Sequence, residues 1–116
     1  MLTLWPAVRI YLATGATDLR RSIDGLAALV RQRFDLDPLS GHVFLFRNRR
    51  GDRLKVPAWD HGGFWVLYKR LERGTFAWPS EDQGDPVAVR SGDLVLLLSA
   101  IDLAHTRRRR WYERAA

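Results

Sequence analysis

Two β-rich runs, residues 42–46 (HVFLF) and 53–59 (RLKVPAW), flank a short tip of Asn48, Arg49, Arg50, Gly51 and Asp52. β-Branched and aromatic residues fit a pleated surface, and Gly51 is free to take the positive φ that a tight reversal needs. The middle of the chain is thereby committed to a hairpin, and the rest must be built around it. Pro57 has no N–H to give to a ladder, so the second strand is expected to be an edge strand, or to bulge, at that point. After the turn WDHGG, a third strand puts Phe64, Val66 and Tyr68 on one face and Trp65 and Leu67 on the other. KRLERG reads as a connecting turn and TFAWP as a short fourth strand.

The flanks supply another strand and two helices. Residues 7–13 alternate, with Val8, Ile10 and Leu12 on one side and Arg9 and Tyr11 on the other, and TGAT ends this strand. Residues 18–34 carry Leu19, Ile23, Leu26, Val30 and Phe34 on one helical stripe, with Thr17 as the cap and Asp18 in the first turn. Gly25 inside that helix costs about 1 kcal/mol relative to Ala, which points to a close packing contact. Pro38 and Gly41 stop it. The acidic stretch 79–86 is a surface loop, and VAV is a last short strand. Ser91 caps a second helix over 91–102, whose buried stripe is Leu94, Leu97, Leu98 and Ile101. Together these give an α+β fold: a single small domain with an antiparallel sheet of about four to five strands and two helices packed on one face. Residues 1–104 form the domain and 105–116 a basic C-terminal tail.

With 116 residues the chain is sized for one domain with a core of its own. It has no cysteine, so neither disulfides nor thiolate metal sites arise. Its apolar runs are too short to span a bilayer, and the N-terminal segment reaches Arg9 too early for a signal peptide. The expectation is a cytoplasmic protein with no membrane partner.

The net charge of +6 favours a polyanionic partner. The basic residues are clustered. Arg47, Arg49, Arg50, Arg53 and Lys55 crowd the hairpin tip against Asp52 alone. Lys69, Arg70 and Arg73 surround the next turn, and Arg107, Arg108, Arg109 and Arg110 form a run in the tail; outside these three stretches the chain is net acidic. Seventeen of the nineteen cations are Arg, whose planar fork suits bidentate phosphate contact. Hairpin tips and turns expose backbone N–H groups and long side chains, the usual means of gripping phosphates. The first two clusters are the primary nucleic-acid-binding candidates; Arg20, Arg21 and the tail arginines are secondary. Trp59, Trp65, Trp78, Trp111 and Tyr112 are aromatics able to stack on unpaired bases, although Trp59 and Trp65 fit a core role in their strands. For an enzyme, Asp18, Asp60 and Glu72 are the carboxylates to consider as a metal-holding set, but nothing in the sequence brings them together. His42, His61 and His105 lack metal-ligand spacing, and no phosphate-loop signature is present. No catalytic residue, metal or cofactor is assigned.

The blocks VRIYLATGATDLRRSIDGLAALV, GHVFLFRNRRGDRLKV, WDHGGFWVLYKRLERGTFAWP and LLLSAIDL, taken in order, resemble the TnpB (Orf2-like) accessory proteins of the IS-sixty-six class of bacterial insertion sequences. The resemblance spans residues 7 to 103 and is unrelated to the RNA-guided nuclease of the same name. It implies a non-catalytic role in DNA transposition, beside a DDE-type transposase and a second accessory protein. The family's basic motifs fall on the eight primary candidates, and its helical motif on Thr17, Asp18, Arg20, Arg21, Asp24 and Gly25. The Pro57-Ala58 pair departs from the family's apolar strand. Three readings follow: a DNA-binding accessory factor acting at the element's ends, a module that binds the transposase or the second accessory protein, and a metal-dependent nuclease.

Overall fold

The computed structural model describes residues 8–99 and the backbone of residues 112–114. The chain runs β1 (Ile10–Ala16), α1 (Ile23–Phe34), β2 (Val43–Arg47), β3 (Arg53–Asp60), β4 (Gly63–Arg70), a 3-10 turn at Glu81–Gln83, β5 (Val87–Val89), α2 (Ser91–Leu98) and β6 (Tyr112–Arg114). The strands make one sheet in the order β4-β3-β2-β1-β5-β6. The class is α+β, as the sequence indicates, and most pairings are antiparallel.

One pairing departs from the expected antiparallel sheet. β1 lies parallel to β2, with Ile10 opposite Val43 and Leu12 opposite Leu45. Parallel neighbours need a long crossover, and α1 supplies it. The helices also lie on opposite faces of the sheet rather than on one. Leu26, Val30 and Phe34 of α1 pack with Ala13, Phe44 and Phe46. Leu94 and Leu97 of α2 pack with Ile10, Leu12, Val43, Leu45, Leu54 and Val56. The cause is visible in β2, where Val43, Phe44, Leu45 and Phe46 are all buried. Successive side chains of a strand point to opposite faces, so an unbroken apolar run requires cover on both.

Pro57 is buried in an internal strand, not at an edge. β3 pairs with β4 along its whole length. Towards β2 it pairs at Val43–Ala58, Phe46–Lys55 and Arg47–Leu54 in one unbroken register. The missing proline donor is accommodated by the interval between those pairs, without a bulge.

Several local expectations shift. β1 continues through TGA to Ala16, with a register irregularity after Leu12. Thr17 extends the contact, its N–H donating to the Arg47 carbonyl at 2.8 Å. Residues 18–21 are a turn, and α1 starts with Ser22, not Thr17, at its N-cap. In α2 the N-cap is Arg90, with Ser91 the first helical residue. Residues 75–79 form no strand; Phe76 instead fills the core on the α2 side. At Gly25 an added Cβ would come within 3.1 Å of the Arg21 Cβ, so the close approach is to the preceding turn rather than to another element. Trp65 is 44% exposed, against the expected core placement, because β4 is a sheet edge. Trp59 is partly buried, edge-on to Phe64.

Candidate nucleic-acid interface

The parallel β1–β2 pair places the end of β1 beside the end of β2, so the turn that leads into α1 comes to lie against the hairpin tip. Between them is a groove of about 730 Å³, lined on one wall by residues 16–20 and on the other by Asn48, Arg49, Arg50 and Arg53, with Lys55 and Tyr68 completing it.

The tip is held from within. The Asn48 side chain donates to Asp52 at 2.7 Å and accepts the Arg53 N–H at 3.0 Å. The Gly51 N–H donates to the Asn48 carbonyl, and φ at Gly51 is 76°, a conformation that disfavours a side chain. The Asn48 hydrogen bond, then Arg50 and Arg53, hold the Asp52 carboxyl below its ordinary pKa, so it stays ionised beside the tip. The following segment folds back on this turn: Leu71 N–H donates to the Asp52 carbonyl and Phe76 N–H to the Gly51 carbonyl. Arg49 and Arg50 are thus presented outwards from a rigid loop, and neither is ion-paired with a described carboxylate.

The other basic residues have different situations. Arg53 stands directly opposite Arg70, and like charges in register destabilise a strand pair. Arg70 is relieved by Glu72 at 2.9 Å; Arg53 has no ion-pair partner among the described residues. The Lys55 ammonium donates to the Arg21 carbonyl and sits 5.8 Å from the Tyr68 ring centre. Arg20 lines the groove but is clamped to Asp18, whose pKa is lowered to about 2, first by the Arg20 side-chain hydrogen bond. Arg21 and Arg73 are exposed and lie outside the groove lining.

Two primary candidates point elsewhere. Arg47 turns inward, donating to the carbonyls of Asn48 and Thr14 and lying 5.9 Å from the Trp78 ring centre. Trp78 is itself fixed by donating to the Ala13 carbonyl at 2.7 Å. Lys69 lies on the α2 face, where its ammonium donates to the Leu98 carbonyl at the end of that helix. Arg107 to Arg110 and Trp111 fall outside the described residues. β6, with the backbone of Arg114, is the opposite sheet edge from β4. The structure therefore unites the tip with Arg20, sets the second cluster beside it through the Arg53–Arg70 pair, and places Lys69 on the other face.

Ala16, Thr17, Asp18, Leu19, Asn48 and Tyr68 also line the groove without being binding candidates from the sequence. Asn48 reads in the sequence only as a turn residue, because its side-chain bonds depend on where the chain returns. Tyr68 falls on the expected strand face, but nothing in the alternation marks that part of the face as open. The carboxylates weighed for a metal site stay apart in their interactions: Asp18 pairs with Arg20, Glu72 with Arg70, and Asp60 with His61. Among the described residues no three His, Asp or Glu side chains form a metal-binding group, and no helix is long and apolar enough to cross a membrane.

Comparison with known proteins adds the family. The description "IS66 Orf2 like protein" matches residues 8–108. An uncharacterized protein y4hO of Sinorhizobium fredii (strain NBRC 101917 / NGR234) is 43% identical over 105 residues, covering 90% of each chain. A second from that organism, uncharacterized protein y4jC, is 35% identical over 102 residues, covering 88% of this chain and 86% of its own. No solved structure matches. The chain belongs to the IS66 Orf2-like family of insertion-sequence accessory proteins.

Proposed function

We propose that the protein is a non-catalytic, DNA-binding factor that assists transposition by gripping phosphates near the ends of its insertion sequence. The observation that carries this reading is the outward display of Arg49, Arg50 and Arg53 around a concave surface, without described carboxylate partners. Arg53 stands opposite Arg70 with no ion-pair partner of its own among the described residues, a position that an arriving phosphate would help to neutralise. Bound there, DNA would be positioned for the DDE-type transposase, and the contacts would carry no sequence information.

The test is duplex affinity against salt. Three phosphate contacts, from Arg49, Arg50 and Arg53, correspond to a loss of about fortyfold between roughly 50 and 200 mM salt. A flat response contradicts the reading.

A second reading, a module that binds the transposase or the second accessory protein, is favoured by one observation. Trp65 and Leu67 are exposed on β4, the edge strand among the described residues, on the sheet face opposite Tyr68 and the groove. Exposed apolar side chains on an open edge suit strand addition by a partner. Co-purification with the transposase from nuclease-treated lysate, together with no duplex binding, would select this reading over the first.

A further inference from the structure

We propose that the groove receives an unpaired nucleotide, its base stacked on Tyr68 and its neighbouring phosphates held by Arg49, Arg50 and Arg53. The inference rests on the DNA-binding reading and specifies the form of DNA that the site takes.

Three features of the groove support it. The first is shape. At about 730 Å³ the open groove has room for a nucleotide-sized group, ligand clefts running to roughly 300–1,000 Å³. The second is Tyr68 itself. The other aromatics on this face of the sheet already have ring partners: Tyr11, Phe44 and Phe46 pack with one another or with Phe34 of α1, and Trp59 packs with Phe64. Tyr68 is 54% exposed and lines the groove instead. The third is the arrangement of charge. Lys55, anchored on the Arg21 carbonyl, lies over the ring 5.8 Å from its centre, so the base would stack on the ring face away from the ammonium. Arg49, Arg50 and Arg53 line the same groove, so an aromatic surface and phosphate-binding forks are available to one strand at once. Every base has a π-face, so this arrangement accepts any unpaired base, whereas bases inside a duplex have no free face to offer.

The experiment compares three ligands at one salt concentration: an oligothymidylate, an abasic strand of equal length, and a duplex of that length. Wild-type protein is expected to bind the thymine strand roughly 5- to 100-fold more tightly than the abasic strand, which keeps the phosphates and lacks the rings. Tyr68→Val retains a strand-forming residue and should abolish that difference. Tyr68→Phe should preserve it. The thymine-to-abasic comparison uses unaltered protein, so it does not depend on any variant folding. Equal wild-type affinity for the two strands overturns the proposal, as does a Tyr68→Val loss shared equally by strand and duplex. Duplex binding indifferent to Tyr68, with no base dependence on single strands, removes the nucleotide seat and leaves the DNA reading standing. No binding to any of the three removes both.

Discussion

Among the described residues, Asp18 is the only carboxylate lining the groove, and it neutralises Arg20. Because its pKa is lowered to about 2, mainly by Arg20, no ordinary buffer releases the pair. A substitution does. Asp18→Asn keeps an oxygen to accept the Arg20 backbone N–H, now received by Asp18 at 3.0 Å, and removes the charge. Duplex affinity should then rise by roughly two- to fivefold at low salt, the gain shrinking as salt is added; an equilibrium titration reads it. His42 tests a different residue-level statement. Its Nδ1 accepts the Arg9 N–H at 3.0 Å, so the ring is neutral in the fold. Burial, then the Arg9 charge, lowers its pKa below the ordinary 6.5. The unfolded chain therefore binds the proton first, and stability present above pH 6.5 is lost as pH falls below it towards the folded-state pKa. Thermal unfolding should show a lower Tm at pH 5.5 than at 7.5, with a smaller drop in His42→Asn, which keeps an acceptor and cannot charge.

At the scale of the element, the hairpin places its cations at some cost to the fold. Arg53 opposite Arg70 is an unfavourable pair in an otherwise regular β3–β4 ladder. Arg53→Thr should raise stability to urea by about 0.2–1 kcal/mol while weakening duplex binding. A variant that lost both would show Arg53 to be structural. This hairpin was legible in the sequence because its signals are local: Gly51 at the reversal, and alternation along β4 that put Trp65 and Leu67 opposite Phe64, Val66 and Tyr68. The parallel β1–β2 pairing was not legible, since strand direction is decided by how a distant helix packs. The two-sided cover of the sheet was written in Val43–Phe46, a run without alternation, but which helix takes which face is a tertiary outcome. Arg47 looks like its neighbours as a charge in the sequence. Its inward turn depends on carbonyls of Thr14 and Asn48 and on Trp78, residues brought near by the sheet.

Across the whole molecule, the crossover through α1 joins two turns that are far apart in the sequence into one cationic surface. The helix carries the chain over one sheet face, β2 returns beside β1, and residues 16–20 meet residues 48–53 at the same end. Arg33, in the last turn of α1, pairs with Asp85, which also accepts the Thr14 N–H, and so ties the helix to β1 and to the loop before β5. The exposed apolar pair Trp65 and Leu67 lies on the sheet face away from the groove. The most direct test of the combined surface is the slope of log affinity against log salt for a short duplex, measured for wild type and for Arg49→Ala with Arg50→Ala. The account predicts a slope shallower by about 1.8 in the double variant, two phosphate contacts having been lost. A double variant that binds with the wild-type slope would contradict it.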